Sequence, residues 1–103
     1  GLPPVAVDDD TITAINTPVT IPVLNNDSTL DNDPLALCGL TTSEVIVTNP
    51  TNGTVVINNN GTITYTPNNG YIGTDSFQYQ ICDPEGRDTA WVYMTLTALS
   101  WKH

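Results

Sequence analysis

The chain has 103 residues, of which 39% are apolar, and this is enough for one domain around a single packed core. Eleven acidic side chains against two basic ones give a formal charge of −9, which disfavours nucleic acids and anionic membranes as partners. No apolar run is long enough for a membrane-spanning helix, and no charged-then-apolar leader is visible. The sequence begins GLPP without a methionine, which we interpret as a segment of a longer protein.

Apolar and polar residues alternate along several short stretches, and this two-residue period predicts strands, whereas no helical period persists. In FQYQI, for example, Phe77, Tyr79 and Ile81 share one face and the two glutamines lie on the other. The predicted strands cover residues 4–8, 11–14, 18–24, 44–48, 54–58, 62–66, 76–82 and 89–98.

Turn signals separate these stretches. Asn60-Gly61 lies between VVI and TITY and predicts a hairpin, because both residues accept positive φ. Residues 35–42 are expected to hold a short strand or a helical turn. Short strands at this spacing in a chain of this length predict an all-β fold, an immunoglobulin-like β-sandwich.

Four segments carry a resemblance to a known family, and they extend from Pro4 to about Leu96. They read PVAVDD, NTPVTIPVLNND, NGTVVINNNGTITYTPNNGYIGTDSFQYQICD and DTAWVYMTL. They resemble the bacterial cadherin-like, immunoglobulin-like tandem repeat domains of secreted and cell-surface proteins. The resemblance implies a Greek-key sandwich of about seven strands. We expect one domain over residues 1–103, with a core at about 4–98 and a tail or linker at 99–103.

The resemblance also implies a function: a non-catalytic structural or adhesive module that spaces or presents neighbouring domains of a secreted or cell-surface protein. The expected partners are those neighbouring domains and a polysaccharide or cell-surface protein, and the isolated domain is expected to be a monomer. No Ser/His/Asp set, Cys/His pair or Gly-rich phosphate loop is present, because the single histidine is the terminal His103. We therefore predict no catalytic residues.

Nine of the eleven acidic residues fall in residues 8–10, 25–42 and 82–88, which an immunoglobulin-type order brings to one pole. Like charges about 5 Å apart repel by roughly 1 kcal/mol even in water, so they need full solvation or a cation. Calcium suits carboxylate, amide and carbonyl oxygens, and the family often binds it. The expected ligands are Asp27, Asp31, Asp33 and Asp83, followed by Asp8 and Asp9.

The alternative interpretation of NNDSTLDND is a solvated loop, since Asp, Asn and Ser form turns by bonding their own backbone. Thr29 and Leu30 stand where relatives carry Asp-Pro, and this removes one possible oxygen ligand. Asp75, in GTDSF, is expected to be structural and to bond a turn.

The two cysteines, Cys38 and Cys82, are either buried thiols or a disulfide. In the fold that the resemblance implies, both cysteines lie on neighbouring strands, near the pole to which the acidic segments are brought. A disulfide closing about 45 residues would contribute roughly 4 kcal/mol and would indicate an oxidising, extracellular setting.

Two aromatic residues stand at outward positions of the last strand. If Val92 and Met94 face the core, Trp91 and Tyr93 face out, where relatives carry threonine, and Trp101 follows in the tail. Such residues form cross-strand packing, a contact with a partner domain or a flat platform for sugar rings. A carbohydrate-binding accessory module is therefore the alternative function.

Overall fold

The computed structural model describes residues 2–29 and 34–98. Its eight strands are β1 (Asp9–Ala14), β2 (Val19–Ile21), β3 (Ala36–Leu37), β4 (Ile46–Thr48), β5 (Gly53–Ile57), β6 (Ile63–Pro67), β7 (Gly73–Asp83) and β8 (Gly86–Thr97). A 3₁₀ turn at Val23–Asn26 and the one-turn helix α1 (Thr42–Val45) complete the elements. No helix in these ranges is long and apolar enough to cross a bilayer.

The strands form two sheets packed as a sandwich. The five-stranded sheet has the order β1-β8-β7-β3, with β4 also pairing with β7, and the three-stranded sheet has the order β2-β6-β5. All pairs are antiparallel except β1 with β8, which run parallel. The predicted immunoglobulin-like all-β fold is confirmed. It has eight strands where about seven were expected, and two of them, β3 and β4, have only two and three residues.

The core lies between the sheets and consists of inward residues of β2, β5, β6, β7 and β8, as the alternating pattern predicted, with Val23 of the 3₁₀ turn and Val45 of α1. On β7 these are Phe77, Tyr79 and Ile81, all fully buried. The remaining buried apolar residues are Ile21, Val23, Val45, Val55, Ile63, Tyr65, Ala90, Val92, Met94 and Leu96.

The strand predicted at residues 4–8 is wrong. This segment makes only an isolated bridge, between Val5 and Ser28. Prolines at positions 3 and 4 have no N–H to offer a ladder. The N–H groups of Ala6 and Val7 donate to aspartate side chains instead of to a strand.

Two other predicted strands are shorter than expected. Strand β2 ends at Ile21, before Pro22, and the chain turns at once into the 3₁₀ turn. The strand predicted at 44–48 begins only at Ile46, because Thr41 and Glu44 cap helix α1. There Glu44 Oε1 accepts hydrogen bonds from the N–H and hydroxyl of Thr41, as in a capping box.

The chain enters the sandwich at one end and leaves it at the other. We call the end formed by residues 2–8, residues 25–29 and the β7–β8 turn the N-terminal pole. The twelve residues of β8 run from this pole to Thr97, about 36 Å away at the usual rise of a strand. Strand β1 runs parallel to the second half of β8, from Val92 to Thr97.

Candidate functional site

A buried tyrosine hydroxyl lies at the centre of the N-terminal pole. The inward position of Tyr79 on β7 carries its ring through the core, so that the hydroxyl emerges among the acidic residues. It donates to Asp27 Oδ2 at 2.7 Å, with Val23 O at 3.1 Å and Asp9 Oδ2 at 3.3 Å. The carbonyl oxygen of Val7 lies 3.4 Å away, so one proton faces four acceptors, and the shortest contact identifies Asp27 as its main partner.

Asp27 uses both carboxylate oxygens within the fold. It follows the 3₁₀ turn and is only 8% exposed. While Oδ2 accepts from Tyr79, Oδ1 accepts from the N–H of Val7 at 2.8 Å. Asp27 therefore holds the N-terminal segment against the middle of the five-stranded sheet.

The carboxyl groups at this pole are poorly compensated. Burial, and next the negative charge of Asp27, raise the pKa of Asp9 to about 6. Burial also raises the pKa of Asp27, and burial and the contact with Asp27 raise the pKa of the Tyr79 hydroxyl. Within residues 2–29 and 34–98 Arg87 is the only basic side chain, and its Nη1 lies 3.5 Å from Gln80 Oε1.

Two further aspartates join the N-terminal segment to β8. Asp8 Oδ1 accepts the N–H of Trp91 at 2.9 Å, and Asp88 Oδ2 accepts the N–H of Ala6 at 2.9 Å. These bonds replace ladder bonds that the irregular segment does not make. Asp8, Asp9 and Asp27, all predicted ligands, are thus brought to one pole, together with Asp88.

Asp83 lies apart from them, at the tip of the β7–β8 hairpin. Its Oδ1 accepts the N–H groups of Glu85 and Gly86, at 2.8 and 3.0 Å, and so closes the turn. Its Oδ2 is buried and has no hydrogen-bond partner among the described residues. A buried, unpaired carboxylate oxygen is a position that suits a water molecule or a cation.

The described residues alone do not form a metal site. No three side chains of the His, Cys, Asp or Glu type are arranged to hold an ion within residues 2–29 and 34–98. The predicted ligands Asp31 and Asp33 lie outside the described residues, so calcium stays a prediction.

A disulfide joins Cys38 to Cys82, which precedes Asp83 at the end of β7, at the N-terminal pole. Residue Ala36 of β3 pairs with Cys82 of β7, so the bridge connects neighbouring strands of one sheet, with Cα atoms 4.9 Å apart. It ties the residue directly after β3 to the central strand β7.

Two aromatic side chains stand together on the outer face of the five-stranded sheet. The ring centroids of Trp91 and Tyr93 are 6.3 Å apart and the planes differ by 18°. Tyr93 is 44% exposed and Trp91 is half-buried, whereas Val92 and Met94 between and beside them are buried. The predicted outward orientation is therefore correct. Trp101 lies outside the described residues.

Comparison with known proteins identifies the family. Residues 2–95 match the family model described as Bacterial Ig domain, which is nearly the whole chain. The chain belongs to the bacterial Ig domains. This confirms the resemblance carried by segments such as ITYTP and GTDSF. No match is found among curated proteins.

Asp75 has the structural role predicted for it in this bacterial Ig domain. Its carboxylate accepts the N–H groups of Thr51 and Asn52 at 3.0 and 2.9 Å and so fixes the β4–β5 turn. It also accepts the Tyr65 hydroxyl at 2.6 Å, and this contact, after burial, raises the pKa of Tyr65.

Sequence reasoning missed the hydroxyl of Tyr79 and assigned that residue to the core face alone. The available signal was a tyrosine at an inward position, two residues from Phe77. A buried phenol needs a hydrogen-bond partner, so a tyrosine there indicates a polar group within reach.

Proposed function

We propose that this bacterial Ig domain is a mechanical spacer in a secreted or cell-surface protein, where it holds neighbouring domains apart and presents them. Membership in the bacterial Ig family supports a structural role, and it also supports a place in an extracellular or surface protein. The observation that carries the proposal is the parallel pairing of the first and last strands.

This pairing determines how a pulling force acts on the domain. The chain runs from the N-terminal pole into β1, which begins beside Val92, and leaves β8 at the opposite pole. Tension between neighbouring domains therefore slides β1 along β8, and the backbone bonds between them must break together. Bonds loaded one at a time would give way at a lower force, so the topology suits a domain that transmits tension.

A pair of proline variants tests this proposal. Ile15 N–H donates to Thr97 O at 2.7 Å, so by alternation the N–H of Thr11 points to β8 and that of Ile12 points to the free edge. Thr11→Pro removes a donor from the ladder, whereas Ile12→Pro keeps the ladder and serves as the matched control. Single-molecule stretching should show a lower unfolding force for Thr11→Pro only. Equal forces in both variants would overturn the proposal.

We also propose that calcium binds at the N-terminal pole and stiffens it. The buried Oδ2 of Asp83, which has no hydrogen-bond partner among the described residues, supports this. Asp31 and Asp33 would hold the ion with Asp83, because Asp27 already uses both oxygens for Val7 and Tyr79. Asp9 pairs with Val92, about 20 Å along β8 from the tip where Asp83 lies, so it would not reach the same ion. Bound calcium would supply the positive charge that this part of the chain lacks.

A second candidate function is carbohydrate binding on the outer face of the five-stranded sheet. The near-parallel pair of half-buried Trp91 and exposed Tyr93, in the middle of a sheet face, supports it. Sugar rings stack on such aromatic surfaces through their C–H faces, and the polar neighbours Gln78 and Ser76 would meet hydroxyl groups.

Affinity electrophoresis in gels containing a polysaccharide tests this candidate. The wild-type domain should be retarded and Trp91→Ala should migrate freely. Val56→Ala, which removes an apolar side chain that is 57% exposed on the opposite sheet, is the control and should be retarded like wild type. Free migration of the wild type through all the polysaccharides used would exclude the candidate.

A further inference from the structure

We propose that the face around Trp91 and Tyr93 selects glycans that carry free amino groups, such as a β-linked glucosamine chain. This inference rests on the carbohydrate-binding candidate above and names its ligand class. The residues on either side of the aromatic pair support this ligand class.

Strand register places a carboxylate, an aromatic ring and a neutral polar side chain in consecutive rows. Asp10 pairs with Tyr93 on one side, and Ser76 pairs with Tyr93 on the other. In the next row, Trp91 pairs with Gln78 and lies beside Asp8. Paired residues point to the same sheet face and neighbouring strands are about 4.8 Å apart, so one sugar unit can touch all three types of side chain.

The carboxylate of Asp10 is available to such a ligand. Asp10 is exposed, and no partner for its side chain is present among the described residues. Asp8 uses Oδ1 for the N–H of Trp91 and leaves Oδ2 without a described partner. An ammonium group beside Tyr93 would therefore gain an aromatic face and a carboxylate at the same position.

The charge of the whole domain also favours cationic ligands on this sheet. Strands β2, β5 and β6 of the opposite sheet contain no charged residue. Asp10 of β1 lies at the edge of the aromatic face, in a chain with a formal charge of −9. This field attracts polycations to the five-stranded sheet and repels uronic acid or sulfated chains.

Two oligosaccharides of equal length and linkage provide the test: a glucosamine hexamer with protonated amines and the fully N-acetylated hexamer. Calorimetric titration should show tighter binding of the glucosamine hexamer, with a difference that shrinks as salt is added. Asp10→Asn should weaken its binding about fivefold, the scale of one exposed ion pair. Glu85→Gln removes the same charge at the hairpin tip and should change binding less than twofold, the control for net charge.

The remaining outcomes separate this inference from the candidate function. Equal binding of both hexamers, lost in Trp91→Ala or in Tyr93→Ser but unchanged in Asp10→Asn, would overturn amine selection and leave a sugar platform. Absence of binding to either hexamer, with all variants folded by circular dichroism, would overturn both. Oligolysine binding with the same dependence on Asp10 and Trp91 would make the face a site for basic peptides and would overturn the glycan assignment.

Discussion

At the scale of single residues, the N-terminal pole depends on one hydroxyl group. Tyr79 supplies the proton that Asp27 and Asp9 share, and Asp27 in turn holds the N–H of Val7. A carboxylate that loses such a donor in a poorly solvated site keeps an unpaired charge. This lowers the free energy of unfolding by more than the hydrogen bond had contributed to it. The position therefore requires tyrosine, although phenylalanine would fill the core equally well.

Tyr79→Phe should lower the free energy of unfolding by about 1–3 kcal/mol, because it removes the donor to the buried Oδ2 of Asp27. Urea unfolding followed by tryptophan fluorescence measures this. Tyr93→Phe is the matched control, since that side chain is exposed, and it should change stability by less than about 0.5 kcal/mol. Equal effects of the two substitutions would show that the Tyr79 hydroxyl is not part of a stabilising network.

Asp9 should make stability fall as pH rises. Its pKa is about 6 in the folded domain against an ordinary value of 3.8, so the folded state holds this proton more tightly than the unfolded state. The stabilising contribution of Asp9 is fully present below pH 3.8, declines between pH 3.8 and about 6, and is lost above about pH 6. Melting temperatures across this range should therefore fall more steeply in wild type than in Asp9→Asn. Parallel curves would contradict the assignment.

At the scale of elements, alternation of apolar residues predicted the long strands because burial of one sheet face imposes that period. It failed at residues 4–8, where apolar Val5 and Val7 alternate as in a strand. There the backbone donors are taken by Asp27 and Asp88, contacts between residues distant in sequence that no local pattern reveals. The acidic residues of the N-terminal pole were predicted from their positions along the chain. The bonds of the Tyr79 hydroxyl among them also join residues distant in sequence, and they were not predicted.

The disulfide closes a loop spanning 44 residues between Cys38 and Cys82. Replacing both cysteines by serine should lower the free energy of unfolding by about 4 kcal/mol in the chain-entropy model. Denaturant unfolding of wild type with and without reductant provides the comparison, and the reduced wild type should approach the double variant. A midpoint that is unaffected by reductant and by the substitutions would contradict a stabilising bridge.

At the scale of the whole molecule, charge is concentrated on one sheet and one pole. The N-terminal pole carries the calcium prediction, and its test is thermal unfolding with excess calcium and with chelator. Calcium should raise the melting temperature by several degrees, as binding at 100 times Kd adds about 2.7 kcal/mol. Asp31→Ala and Asp83→Ala should remove the increase, and magnesium should not reproduce it. An unchanged melting temperature would indicate a solvated loop.

The spacer role depends on the path of the chain from one pole to the other. Proline variants examine a single bond of the β1–β8 pair, whereas the direction of pulling examines the topology itself. Residues 2 and 85 lie at the same pole, and the C-terminal end of β8 lies at the opposite one. A force between the first two peels β1 away progressively, while a force between the chain ends shears the whole pair.

Single-molecule stretching of the domain along these two directions is the most direct test of the spacer function. We expect a clearly higher unfolding force between the chain termini, because six residue pairs of β1 and β8 resist the sliding together. Equal forces in the two directions, or a lower force between the termini, would contradict the proposal that this bacterial Ig domain is built to transmit tension.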